Sequence, residues 1–313
     1  MTDALVLGID IGGTGTALGI IDRRGRILVQ STMPTTGHAT VYGFIDALAK
    51  EAEMLMKQVG RERMAGVGIG APNANFFTGE IMYAPNLPWD GVIPLARLVK
   101  DALRLKVVIT NDANAAAIGE MTYGAAIGMK DFVVVTLGTG LGSGFVANGQ
   151  LIYGHDGFAG ELGHVIAVRD GRKCACGRNG CLETYVSATG LVRTAQLWLE
   201  DRETETSLRK YEDNIRASVI FKEAEAGDQF AIDIFEYTGK ILGQALADVV
   251  AITSPQAIIF FGGVSKAGNL LLTPVRRHME DNLLRIYKNK VELQISALPD
   301  ADAAILGAGA LAW

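Results

Sequence analysis

The stretch ALVLGIDIGGTGTALGIIDRRGRILV, residues 4–29, decides the fold. Ala4 to Ile11 is short, apolar and rich in Val, Leu and Ile, which suits a buried strand. Glycines 12, 13 and 15 turn the chain, apolar residues resume over 17–21, and Asp22-Arg23-Arg24-Gly25 makes a second turn before Ile27 to Val29. The same plan returns in FVVVTLGTGLGSGFVANGQLIY, residues 132–153. There an apolar run meets the turn Gly138-Thr139-Gly140-Leu141-Gly142-Ser143-Gly144, and Asn148-Gly149 signals a hairpin before Leu151 to Tyr153. Gly12 and Gly138 match at a separation of 126 positions, far from any solenoid period. The repeat implies two related domains.

Outside the repeats the pattern predicts a helix over 41–59, strands over 65–71 and 106–109, and a helix beginning near Ala113. Further on it predicts helices over 187–199, 215–226 and 230–252, a strand over 257–261 closed by Gly262-Gly263, and a small apolar docked helix over 303–311. The charged stretch 200–213 reads as a solvated connection or frayed helix. Strands alternating with helices imply α/β layers. The 313 residues are 49% apolar, enough for two cores, and 29 basic residues against 34 acidic ones give a net charge of -5. No basic cluster suggests nucleic acid, no apolar run is long enough for a bilayer, and no secretory signal stands at the start. A cytoplasmic protein is the expectation.

Three motifs carry chemistry. In Asp10-Ile11-Gly12-Gly13-Thr14 the backbone N–H groups and the Thr14 hydroxyl suit phosphate oxygens, and Asp10 at the strand end suits Mg²⁺ through water. Alone it reads equally as a tight hairpin with an acid at its rim; the matching turn Gly138-Thr139-Gly140 favours a two-part phosphate clamp. Neither turn is a Walker loop or a dinucleotide fingerprint. In Asn111-Asp112-Ala113-Asn114, local sequence favours Asp112 as a helix N-cap, with a general base as the functional alternative. The most specific motif is His164 with Cys174, Cys176 and Cys181, the chain's three cysteines. Three thiolates and an imidazole satisfy a closed, structural Zn²⁺ site.

These motifs, with Gly160-Glu161-Leu162-Gly163-His164, Cys181-Leu182-Glu183 and Gly262-Gly263-Val264-Ser265, resemble the ROK family of sugar kinases and repressors over essentially the whole chain. The resemblance implies a duplicated, actin-like (ribonuclease H-like) ATPase fold of two α/β domains around a cleft. The expected division is 1–111 with about 301–313 as the smaller domain, and 112–300 as the larger one carrying zinc. It also implies an ATP-dependent hexose 6-phosphotransferase with Mg²⁺ and zinc. Asp112 would take the proton of the sugar 6-hydroxyl. Asn86, Asn111, Glu161, His164 and Glu183 would hold other hydroxyls, with His164 also a zinc ligand. The two glycine turns would hold the ATP phosphates, and Gly262-Gly263 the adenosine. A glucokinase is the leading expectation; kinases of N-acetylmannosamine, N-acetylglucosamine, allose or fructose, and a sugar-sensing regulator, are the alternatives. A homodimer is implied by resemblance alone. The sequence departs from the family at Asn73, where a glycine is usual after Pro72, and at Gly15, where a larger polar residue is common.

Overall fold

A computed structural model describes residues 4–201, 203–299 and 302–313. In chain order the named elements of the amino-terminal part are β1 (Leu5–Ile11), β2 (Gly15–Ile21), β3 (Ile27–Pro34), α1 (Val41–Val59), β4 (Met64–Gly70), β5 (Ile81–Met82), β6 (Val92–Ile93), α2 (Leu95–Leu103), β7 (Val107–Thr110) and α3 (Asp112–Tyr123). There follow β8 (Phe132–Leu137), β9 (Leu141–Ala147), β10 (Gln150–Leu151), α4 (Glu183–Val186), α5 (Ala188–Asp201), α6 (Ala217–Glu225), α7 (Gln229–Thr253), β11 (Ala257–Phe261), α8 (Asn269–Asn282), β12 (Glu292–Ile295) and α9 (Ala303–Ala310). The larger sheets run β3-β2-β1-β4-β7 and β10-β9-β8-β11-β12. The orders match position by position, so the internal duplication is real. At the hairpin tip Asn148 and Gly149 both have positive φ, 52° and 72°, the conformation that made this dipeptide a turn signal.

The chain packs as two compact units, one of residues 1–129, 144–160 and 296–313, the other of 130–143 and 161–295. The first boundary falls at 129 rather than the expected 111, and the carboxy-terminal one at 296 rather than about 301. The reason is α3. Its Gly119 faces the backbone of Gly307 so closely that a Cβ there would stand 2.9 Å from the Gly307 Cα. This ties α3 to α9 and so to the first unit.

In that unit β1 alternates cleanly. Leu5, Leu7, Ile9 and Ile11 join a core with Phe44, Leu48, Leu95 and Val99 of α1 and α2. Gly8 and Asp10 take the opposite face. Neighbouring β4, MAGVGIG, does the same: Val67 and Ile69 enter that core, while Gly66, Gly68 and Gly70 form a bare stripe behind. A Cβ on Gly68 would lie 1.9 Å from the Ala308 carbonyl oxygen. The small-residue helix α9 therefore rests on backbone, which only glycine permits. The stripe ends at Gly70, and there the site begins.

In the second unit β8, β11 and β12 pair in parallel, with Ala257 opposite both Phe132 and Glu292. Helices α7 and α8 meet at Gly239 and Gly243, against Pro274, Val275 and Met279. Pattern reading missed α8 because Pro274 interrupts it, yet the helix continues through that proline. The stretch 200–213 also differs from expectation. Ser207–Asn214 forms a short 3-10 helix with Leu208 fully buried. The Ser207 hydroxyl lies 2.7 Å from Asp228 Oδ2 and 2.5 Å from Glu223 Oε2, fixing the segment by side-chain bonds that apolar periodicity does not reveal. Residue 202 lies outside the described residues. Among the described residues no helix is long and apolar enough to cross a membrane.

Candidate active site and metal centre

Strand pairing sets the residues that the first unit gathers. Asp10 at the end of β1 is opposite Gly70 of β4, and Gly70 is opposite Thr110 of β7. Thr110 leads directly into Asn111 and α3. Because Gly70 has no side chain, the volume beside it is taken from both sides. The position of a Cβ there lies 3.6 Å from Asp10 Oδ1 and 3.9 Å from Asp112 Cα. The Asp10 carboxylate and the start of α3 thus meet beside Gly70, across an intervening strand.

The N-cap of α3 is Asn111, whose Oδ1 accepts from the Asn114 N–H at 2.7 Å. The cap assigned to Asp112 by local sequence therefore belongs to its neighbour. Asp112 stands one residue later, its Oδ1 accepting from the Ala113 N–H at 2.9 Å. Burial pushes the Asp112 carboxyl above its usual range, against the pull of those backbone donors. Asp10 rises to about 6, mainly through burial and secondarily through the field of Asp112.

The sign for stability follows from the raised value. Asp10 binds its proton more tightly folded than unfolded, so its contribution is fully present below about 4 and is lost as pH rises through about 6. At neutral pH the buried charge costs up to about 3 kcal/mol. Asp10→Asn is expected to raise thermal stability at pH 7 without a gain at pH 4, by melts at both pH values. Equal shifts at both would remove this electrostatic account. The same penalty makes the position a good seat for a divalent cation, which would supply the missing positive charge.

The turn of residues 12–15 closes by Gly12 N–H donating to the Gly15 carbonyl at 2.9 Å. Gly13 is required by the loop of residues 83–91: a Cβ there would stand 2.6 Å from the Asn86 carbonyl oxygen. Thus Asn86 sits directly against the turn, with Thr14 exposed beside it. Asn73 adopts φ 52°, and its Nδ2 donates to the Met82 carbonyl at 3.0 Å, so the departure from glycine keeps the left-handed backbone. Phe76, three residues on, stacks on Tyr153 with centroids 4.1 Å apart, and the Tyr153 hydroxyl bonds Thr110. The sequence places Phe76 just after the departure at Asn73, but nothing local relates residue 76 to residue 153.

The second unit gathers a set of its own. Gly138 N–H donates to the Gly140 carbonyl at 3.1 Å, closing the matching turn. Gly262, at φ 99°, lies against it, where a Cβ would stand 2.7 Å from the Leu137 carbonyl oxygen. Gly263 faces open space. The turn Gly138-Thr139-Gly140 and Gly262-Gly263 thus form one glycine-lined surface.

Next to it is the His/Cys cluster. One donor atom from each of His164, Cys174, Cys176 and Cys181 lies within 4.8 Å of the others. Cys176 and Cys181 sulfurs are 3.6 Å apart, and Cys174 Sγ is 3.8 Å from His164 Nδ1. Bonds of about 2.3 Å to a tetrahedral ion give donor separations of about 3.8 Å, so the set fits Zn²⁺. Burial pushes the Cys174 thiol up to about 12, a cost that a bound cation would offset, while the Arg178 backbone N–H holds exposed Cys176 down to about 7. The tight ligand spacing is possible because Gly177 and Gly180 take φ of 88° and 81°.

Glu183 lies between cluster and turn. Its Oε1 is 3.2 Å from Cys174 Sγ and 3.8 Å from His164 Nδ1, and its Oε2 accepts from the Leu141 N–H at 3.4 Å. Glu161 is exposed, three residues before His164, whose N–H donates to the Glu161 carbonyl at 3.1 Å. Each unit therefore gathers its own share of the expected residues: Asp10, Gly12, Gly13, Thr14, Asn86, Asn111 and Asp112 in one, the rest in the other.

Paired glycine turns on duplicated five-stranded sheets define a protein of the duplicated α/β ATPase class. The chain belongs to the ROK family, whose model matches residues 6–313. It is 35% identical to a glucokinase of Halalkalibacterium halodurans over 99% of this chain and 95% of that protein. It is 31% identical to an N-acetylmannosamine kinase of Citrobacter koseri, covering 98% of each. A crystal structure of a ROK family glucokinase from Streptomyces griseus in complex with glucose and AMPPNP superposes with a TM-score of 0.81. That pair is 34% identical, with 97% of this chain and 98% of the other covered.

Proposed function

We propose that this protein is a cytoplasmic ATP-dependent hexose kinase acting on the 6-hydroxyl of glucose. The observation that carries the reading is Asp112, a solvent-accessible carboxylate at the start of α3, freed from capping by Asn111 and close enough to Asp10 for its field to raise that carboxyl. A sugar hydroxyl is a weak nucleophile until its proton is drawn off. Asp112 accepts that proton as the 6-oxygen bonds the γ-phosphorus; the bond to the β-phosphate oxygen breaks, and ADP leaves. Burial keeps Asp112 more basic than a solvated carboxylate, which suits a base working near neutral pH.

Asp10 is the residue that would hold Mg²⁺, which neutralises phosphate charge when bound. Zinc on His164, Cys174, Cys176 and Cys181 would supply structure, since four protein ligands leave no open position. Asn86, Asn111, Glu161, His164 and Glu183 are assigned to sugar hydroxyls. Gly12, Gly13, Thr14, Gly138, Thr139 and Gly140 are assigned to phosphates, and Gly262 and Gly263 to adenosine. The N-acetylmannosamine kinase relative keeps a second substrate in view. A homodimer remains part of the reading, to be checked by sedimentation.

The test is ADP release with Mg-ATP over a panel of hexoses and N-acetylhexosamines. A strong preference for glucose supports the reading. A preference for an N-acetylated sugar keeps the chemistry and changes the substrate. Sugar binding with no turnover on any member replaces the enzyme with a sugar-sensing module.

A further inference from the structure

The start of α5 grips the back of the second glycine turn. Ala188 N–H donates to the Gly138 carbonyl at 2.9 Å, and the Thr189 hydroxyl donates to the Thr139 carbonyl at 2.9 Å. Ser187, fully buried, ties this grip to the segment before it. Its hydroxyl donates to the Glu183 carbonyl at 2.7 Å and lies 3.0 Å from the Thr189 hydroxyl. Glu183 begins the single helical turn α4, which leaves the metal-ligating Cys181 after one residue. The Cys181 carbonyl in turn accepts from Thr184, from its N–H at 3.0 Å and its hydroxyl at 2.7 Å. An unbroken chain of bonds thus runs from a metal ligand to two carbonyls of the turn.

Those carbonyls fix more than themselves. All described peptide bonds are trans, so each C=O points opposite to the N–H of the next residue. Pinning the Gly138 and Thr139 oxygens onto α5 aims the Thr139 and Gly140 N–H groups the other way, off the α5 side. Successive N–H groups aimed one way make an anion-binding concavity. The Glu183 carboxylate adds a second link, joining Cys174 and the Leu141 N–H that follows the turn.

We infer that Ser187 and Thr189 are positioning residues for the phosphate-binding amides of Gly138-Thr139-Gly140, and that through α4 they make nucleotide affinity depend on the occupied Cys/His centre. The inference rests on the kinase reading. Sequence offered no sign of it, because Thr189 is 50 residues from Thr139.

The test is calorimetric titration of the zinc-loaded protein with Mg-AMPPNP and, separately, glucose. Thr189→Val keeps the shape and removes the donor. It is expected to weaken nucleotide binding roughly three- to tenfold, the worth of one hydrogen bond, with glucose affinity and metal content unchanged. Thr189→Ser restores the donor and is expected to restore affinity. Stripping zinc from the wild type by chelation is expected to weaken nucleotide binding in the same direction. Wild-type nucleotide affinity in Thr189→Val, an equal loss in the serine variant, or unchanged nucleotide affinity after stripping each overturns the inference. A wild-type protein that binds no nucleotide at all instead overturns the kinase reading on which it stands.

Discussion

Asp112→Asn is expected to lower turnover by about 10²–10⁴-fold while sugar binding survives. The size follows from the role, because asparagine cannot take the 6-hydroxyl proton. The selectivity follows from the local structure. The helix cap is Asn111, so α3 keeps its N-terminal bond to Asn114 when residue 112 changes. An asparagine oxygen can still accept from the Ala113 N–H as Asp112 does. Removing a carboxylate that is pushed above its usual range by burial also removes a penalty, so the variant is expected to melt no lower than the wild type. The measurement pairs ADP release with glucose titration of the same preparation. Turnover near the wild-type rate would take Asp112 out of the mechanism. Loss of sugar binding along with turnover would make it a binding residue instead.

Cys176→Ser is expected to lose the one bound zinc per chain and to weaken glucose binding, by an amount on the order of the 10–100-fold seen when a metal's supporting shell is broken. Cys176 is the clean choice among the ligands. It is exposed, whereas Cys174 and Cys181 are buried and their loss would also disturb packing. The link to sugar runs through two residues. His164 is both a ligand of the centre and an assigned sugar contact, and Glu183 lies 3.8 Å from its Nδ1. Elemental analysis beside glucose titration decides it. A variant that keeps its metal, or loses it with glucose affinity intact, breaks the proposed connection.

Much of this architecture was legible before any coordinates, and the reasons are local. Val41–Val59 of α1 and Ala257–Phe261 of β11 came out at their bounds because apolar periodicity and flanking glycines mark them. The duplication was readable from Gly12 and Gly138, and the Cys/His cluster from four candidate donors within 18 residues of sequence, 164 to 181. What stayed hidden depends on distant partners. Nothing near residue 111 says that Asn111 rather than Asp112 caps α3, since both residue types cap well. Helix α8 was obscured by Pro274, which Gly239 of α7 accommodates from outside the segment. The second role of Glu183, and the grip of Ser187 and Thr189 on the glycine turn, exist only once α4 and α5 are folded against β8. The unit boundary was misplaced for the same reason: α3 belongs with a helix nearly 200 positions further on.

That helix has a consequence for how the chain is made. Of the bare stripe, Gly68 is covered by Ala308, and Gly8 beside it by Ile305 and Gly309. A growing chain emerging from the ribosome therefore presents the first sheet with one face open until Ala303–Ala310 has been synthesised. Pairings of such long sequence separation form slowly, and an uncovered sheet face is where nascent chains associate wrongly. The second unit, of residues 130–143 and 161–295, draws its helices from its own second stretch and has no such wait for them. Maturation of the first unit thus waits for α9, against which the Gly119 backbone of α3 also packs.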